Sequence, residues 1–157
     1  MKKILIGLDD SASAMRAVEY AGQQFSGISD LQIGLVYVLP NLPAIFWDEG
    51  HILSDDEKKD RKKVVDKWIA DRKAKMEPLF KKATDLLTTS GIKSSQIQVK
   101  SISDSTDVSQ SIVEEAKDNG YQTILVGRCD RPVKHLLGSV SGKIVSQGSG
   151  VAVTVVG

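Results

Sequence analysis

The chain has little of what most catalytic and secreted proteins depend on. It holds one cysteine, Cys129, and two histidines, His51 and His135. A lone thiol closes no internal disulfide, and no Cys/His spacing matches a zinc or iron-sulfur site. Long hydrophobic runs are also missing. The two lysines and apolar residues of the opening MKKILIGLDDS superficially resemble a leader, but Asp9 and Asp10 end that run too early for a signal core or a membrane span. The expectation is a cytoplasmic protein with no membrane or nucleic-acid partner. No Ser-His-Asp arrangement with supporting spacing, no HExxH and no paired carboxylates in an acid/base context occur. The sequence GSVSGKI (138–144) falls short of a P-loop, because only three residues separate Gly138 from Gly142-Lys143 and Ile144 replaces the Ser/Thr that would hold magnesium.

The 157 residues suit a single domain, 1–157, able to bury a core without disulfides or metal. The formal net charge of +1 conceals an asymmetry, since residues 57–82 carry eleven Lys/Arg against five Asp/Glu. With only Trp68 and Phe80 as aromatics there, the segment reads as a solvated helix face rather than a binding surface for nucleic acid.

Read in order, KILIGL (3–8) is a short apolar run that suits a strand buried on both faces. Asp10 and Ser11 offer N-cap oxygens for a helix over 12–24, where Ala14, Ala17, Val18 and Ala21 recur at helical spacing. LQIGLVYV (31–38) is a second strand, followed by a loop with Pro40, Pro43, Phe46 and Trp47 on the expected ligand edge; packing is favoured over a lid for it. Ser54 and Glu57 form a capping box opening a long helical pattern to Leu87, with Trp68 and Met76 as core and a kink or break near Glu77 ahead of Pro78. IQVKSI (97–102) alternates as a third strand. A helix from Val108 to Lys117 stops at Asn119-Gly120, then comes TILVG (123–127), a helix to Gln147, and the strand VAVTVV (151–156). Strands alternating with helices predict an open parallel sheet covered on both faces, with ligands at the carboxyl ends of the strands where Asp9 and Gly127 lie.

The stretch Thr123–Ser141 carries the most chemistry. An apolar strand ends at Gly127, and Gly138, Ser139, Val140 and Ser141 open a helix eleven residues later. Gly127 lets backbone approach a ligand, and the helix start presents unpaired N–H groups to an anion. Arg128, Arg131, Lys134 and His135 lie in the intervening loop. Cys129 reads as an ordinary small residue.

These residues resemble the universal stress proteins over essentially the whole chain. Leu8-Asp9-Asp10-Ser11 matches a strand running into Val-Asp-Gly-Ser, and Leu35-Val36-Tyr37-Val38 matches the end of the second strand. Gly127, Gly138, Ser139, Val140 and Ser141 match most of the G-x2-G-x9-G-S/T pattern of nucleotide-binding members. The resemblance implies a five-stranded parallel sheet in the order 3-2-1-4-5, of the adenine nucleotide alpha hydrolase-like class. It also implies homodimers through the last strand, Val151–Val156, and ATP or another adenine nucleotide as ligand. Carried over, Asp9 and the backbone of Val38 would meet the adenine end and Val126 and Gly127 the ribose and phosphate region, with Leu8 and Arg128 also counted among the nucleotide-binding residues. Gly138, Ser139, Val140 and Ser141 would hold the phosphates.

The chain departs from the pattern in the loop. Asp130 stands where the second glycine is usual, separated from Gly138 by seven residues instead of nine, and Asp10 replaces a glycine of the first motif. A carboxylate about 4 Å from a phosphate charge costs on the order of 4 kcal/mol at an effective dielectric near 20. Magnesium bridging Asp130 to the phosphates, or neutralisation by Arg128, Arg131 and Lys134, would offset it. A regulatory ligand is the leading reading, with slow hydrolysis as the most turnover expected. The alternative is a dimeric interaction module that has lost the nucleotide.

Overall fold

The protein is described by a computed structural model covering residues 1–39, 54–128, 139–148 and 150–157. Five parallel strands, β1 (Lys2–Leu8), β2 (Leu31–Val38), β3 (Ile97–Ile102), β4 (Thr123–Gly127) and β5 (Ala152–Val156), form one sheet in the order β3-β2-β1-β4-β5. The helices are α1 (Ala12–Phe25), α2 (Asp55–Thr89), α3 (Val108–Asp118) and α4 (Ser139–Gln147), and a 3-10 turn at Ser94–Gln96 precedes β3. The expected sheet order and two-sided cover are both present.

Alternation along the strands divides the core into two layers. Ile4, Ile6 and Leu8 of β1, with Ile33, Leu35 and Tyr37 of β2, face α1 and α2, where Ala17, Val18, Ala21, Phe80, Ala83 and Leu87 meet them. Leu5, Val36, Val38, Ile124 and Val126 face the other way, onto Ile112, Val113 and Ala116 of α3 and Ile144 of α4. Both sides of the central strands are therefore dry, as continuous apolar runs require. Each large side chain so buried contributes roughly 1.5–3 kcal/mol.

The helix starts are fixed by side-chain caps. Ser11, not Asp10, is the N-cap of α1, its hydroxyl accepting from the Ala14 N–H at 3.2 Å. The capping box of α2 is complete: the Ser54 N–H donates to Glu57 Oε2 at 2.7 Å and the Glu57 N–H to Ser54 Oγ at 3.3 Å. The bond from the Ser54 N–H, seconded by the Ser54 side chain, holds the Glu57 carboxyl below its usual range. Asp107 caps α3, accepting from the N–H groups of Ser109 and Gln110.

Three expectations need correction. The long helix has no break at Glu77; α2 runs unbroken through Pro78 to Thr89. Pro78 and Ala74, whose carbonyl loses its N–H partner, are both exposed, so water can take the place of the missing bond. Trp68 is half-buried against the core, whereas Met76 is buried as expected. Nor does β3 alternate: Gln98, Val99 and Lys100 are all exposed, Val99 by 50%, because β3 is an edge strand with one neighbour.

Candidate functional site

The carboxyl ends of β1, β2 and β4 open into a crevice of about 350 Å³. Its walls come from both layers of the fold. Gly7, Leu8, Asp9, Asp10 and Ser11 line it from β1 and the turn that follows, Tyr37 and Val38 from β2, and Val126 and Gly127 from β4. Val108 and Ile112 of α3 and Val140 of α4 close one side, and Arg72, Lys75, Met76 and Leu79 of α2 close the other. Strands β1 and β4 are neighbours, with Ile6 in register with Leu125, which brings Asp9 and Gly127 to the one crevice. This is the point where the strand order reverses direction, where open α/β sheets take ligands.

The structure brings six of the sequence-predicted residues together on this wall: Leu8, Asp9, Val38, Val126, Gly127 and Val140. Ser139 and Ser141 belong to the first turn of α4 on either side of Val140 without lining the crevice, Ser141 being 3% exposed. Arg128 follows β4, is exposed and does not line the crevice either; its N–H donates to the Val156 carbonyl at 2.6 Å. Gly138, Asp130 with its proposed magnesium, Cys129, Arg131, Lys134 and His135 lie outside the described residues, as do Pro40, Pro43, Phe46 and Trp47. Among the described residues no cluster of His, Cys, Asp or Glu suits a metal ion, and no helix is long and apolar enough to cross a membrane.

Two residues act differently from the sequence reading. Gly127 has no left-handed backbone; a Cβ there would collide with the Ser13 carbonyl and sit 2.7 Å from the Ala14 nitrogen. Its lack of a side chain lets the first turn of α1 press against the end of β4. Asp9 turns its carboxylate back to accept from the Ser11 N–H at 2.8 Å, which fixes the acid at the crevice mouth while leaving acceptor capacity on the second oxygen.

The α2 wall was missed altogether, because residues 57–82 read as a solvated face. Most of that face is solvated, yet Arg72 and Lys75 line the crevice beside Met76 and Leu79. The i, i+3, i+4, i+7 spacing from Arg72 was the available signal, a mixed basic and apolar stripe. The Arg72 guanidinium lies over the Trp68 ring, 5.3 Å from its centroid. Burial pushes the Tyr37 phenol above its ordinary range; Arg72 opposes that rise, while Asp10 and Asp9 add to it. All three charges therefore act on one hydroxyl in the crevice.

On the opposite side, α4 is tied to α3. Lys143 Nζ donates to Asp107 Oδ2 at 3.2 Å, and the Ser109 hydroxyl donates to the Val140 carbonyl at 3.4 Å. Hydrogen bonds from Gln110 and Lys143 hold the Asp107 carboxyl below its usual range. The amino ends of α3 and α4 thus open side by side at the crevice.

Among curated proteins the chain finds no match. Solved structures share its fold. A hypothetical protein whose biochemical function was assigned from its structure is 22% identical, over 99% of this chain and 94% of its own, with a TM-score of 0.72. A universal stress protein in complex with cAMP is 20% identical over 99% of this chain and 97% of its own, with a TM-score of 0.64. One from Archaeoglobus fulgidus in complex with dAMP is 16% identical over 100% and 98%, with a TM-score of 0.59. A model of the Universal stress protein family matches residues 1–157. The chain belongs to the universal stress protein family.

Proposed function

We propose that this protein, acting as one domain over residues 1–157 in the cytoplasm, binds an adenine nucleotide such as ATP as a regulatory or structural ligand. One observation carries the reading: a single crevice has an apolar floor of Leu8, Val38, Ile112 and Val126, the Asp9 carboxylate at its mouth and the amino end of α4 at its side. A flat apolar base suits the floor, an amino donor suits the carboxylate, and a phosphate suits the helix terminus. Structural relatives in complex with cAMP and dAMP support an adenine nucleotide as the ligand class.

Release of nucleotide from denatured protein, followed by calorimetric titration with Mg-ATP, tests the reading. Binding in the micromolar to low millimolar range is expected, with phosphate release negligible on the same timescale. No released nucleotide and no heat up to millimolar ATP would reject it. Exchange of Asp130 for Gly then separates its two roles: tighter metal-free binding marks repulsion, and lost Mg-dependence marks a metal bridge.

Strand β5 supports the homodimer. It is an edge strand, and AVTVV carries no charge, whereas the opposite edge, β3, carries Lys100. Charged edges resist pairing with another chain and uncharged ones permit it. Thr154→Lys is expected to yield monomers by sedimentation, and an unchanged dimer would place the interface elsewhere. The Asp130 departure favours the second reading, a dimeric interaction module without nucleotide, should the titration find no binding.

A further inference from the structure

Arg72 and Lys75 stand apart from the other basic residues of α2, because they share the crevice wall with Met76 and Leu79. Their position relative to the phosphate end decides what they can reach. Helix α2 packs on α1 and touches β3, whereas α4 packs on α3 and β5. The two therefore flank the crevice from opposite layers and opposite halves of the sheet. Strands β2 and β4, which lead to these two ends, are separated by β1, a spacing of about 10 Å between their axes. Arg72 therefore enters the crevice from the side opposite the amino end of α4. What lies within reach of Arg72 is whatever occupies the end shared by Tyr37, Val38, Met76 and Leu79.

That end is chemically two-sided. Asp9 and Asp10 supply acceptors from the β1 turn, and Arg72 and Lys75 supply donors from α2. Adenine carries an amino donor beside a ring-nitrogen acceptor along one edge, so it can answer both sides at once. Stacking over Trp68 restrains the guanidinium before any ligand arrives, which lowers the entropy lost on making the contact.

We infer that Arg72, with Lys75 beside it, is a base-reading residue of this crevice, donating to a ring nitrogen of the purine whose amino group faces Asp9. The inference rests on the nucleotide reading above. It assigns to α2 the role of discriminating the base, separate from the phosphate contacts of α4.

Calorimetric titration of the wild type, Arg72→Ala, Lys75→Ala and Lys73→Ala with ATP, adenosine and inorganic triphosphate tests it. Lys73 is exposed and does not line the crevice, so its variant controls for the loss of one positive charge. Arg72→Ala is expected to weaken ATP and adenosine by the same factor, about tenfold or more, as for a lost hydrogen bond to a charged group. Lys75→Ala should act in the same sense by a smaller factor, and neither should alter binding of triphosphate. Lys73→Ala should leave all three ligands unchanged. A loss confined to ATP and triphosphate would make Arg72 a phosphate contact and overturn the inference. So would equal losses in the Lys73 control, unchanged affinities in the Arg72 variant, or a wild type that binds ATP without binding adenosine. A wild type that binds none of the three rejects the nucleotide reading itself, a distinguishable failure.

Discussion

At its β4 end the crevice is fixed by close backbone packing, with Gly127 pressed against the first turn of α1 beside Val126, and α4 held to α3 through Lys143 and Asp107. At its α2 end it is walled by side chains, Arg72, Lys75, Met76 and Leu79, on a helix that buries few of its residues. A backbone wall is fixed by the fold and tolerates almost no substitution. A side-chain wall can change its chemistry without disturbing the sheet.

Substitutions at the two ends should separate these properties. The largest effect belongs to Gly127→Val, since the new side chain collides with the Ser13 carbonyl and the Ala14 nitrogen, backbone groups with no freedom to withdraw. A loss on the order of 3 kcal/mol or more is expected in denaturant unfolding; an unchanged midpoint would mean that α1 is not seated on β4 as described. Met76→Ala comes next. Met76 is 4% exposed and belongs to both the core and the crevice wall, so about 2–4 kcal/mol of stability should be lost, together with weaker nucleotide binding. Stability lost with affinity intact would show that the α2 wall does not touch the ligand.

The smallest effect concerns acid. Asp107 has its carboxyl held below the ordinary range by hydrogen bonds from Gln110 and Lys143. A group so depressed contributes stability above its unfolded-state pKa, and the contribution is lost as pH falls through the folded value. Stability should therefore decline below about pH 4, and Asp107→Asn should flatten that part of the profile. A profile identical to wild type would mean that the hydrogen bonds from Gln110 and Lys143 do not hold the Asp107 carboxyl down.

The backbone end was legible from sequence because glycine, serine and an apolar run announce backbone geometry locally. Gly127 at the end of TILVG was such a signal, although the close approach it permits within the fold is that of α1. Strands β2 and β4 and the caps followed from apolar runs and capping residues in the same way, whereas the sheet order was implied by the family resemblance. The α2 end was not legible, because Arg72 comes to face Tyr37 through the packing of α2 on α1, a relation between distant segments. In a stretch with eleven basic residues, only the helical spacing of Arg72 and Lys75 with Met76 and Leu79 marks which two point inward. Pro78 misled for a related reason: propensity predicts a break, but packing of Met76, Phe80, Ala83 and Leu87 on the core carries the helix through.

Those four buried residues all lie between Met76 and Leu87, whereas the turns from Asp55 to Lys75 contain no fully buried residue. Helix α2 is therefore close to a cantilever, clamped along its last turns and held farther out only by the partial packing of Trp68 and Ile69, with the missing hydrogen bond at Pro78 beside the clamp. Amide protons should exchange slowly from Leu79 onward and quickly before Lys75. A ligand gripped by Arg72 would slow them along the projecting length, turning occupancy of a small crevice into rigidity many ångströms away.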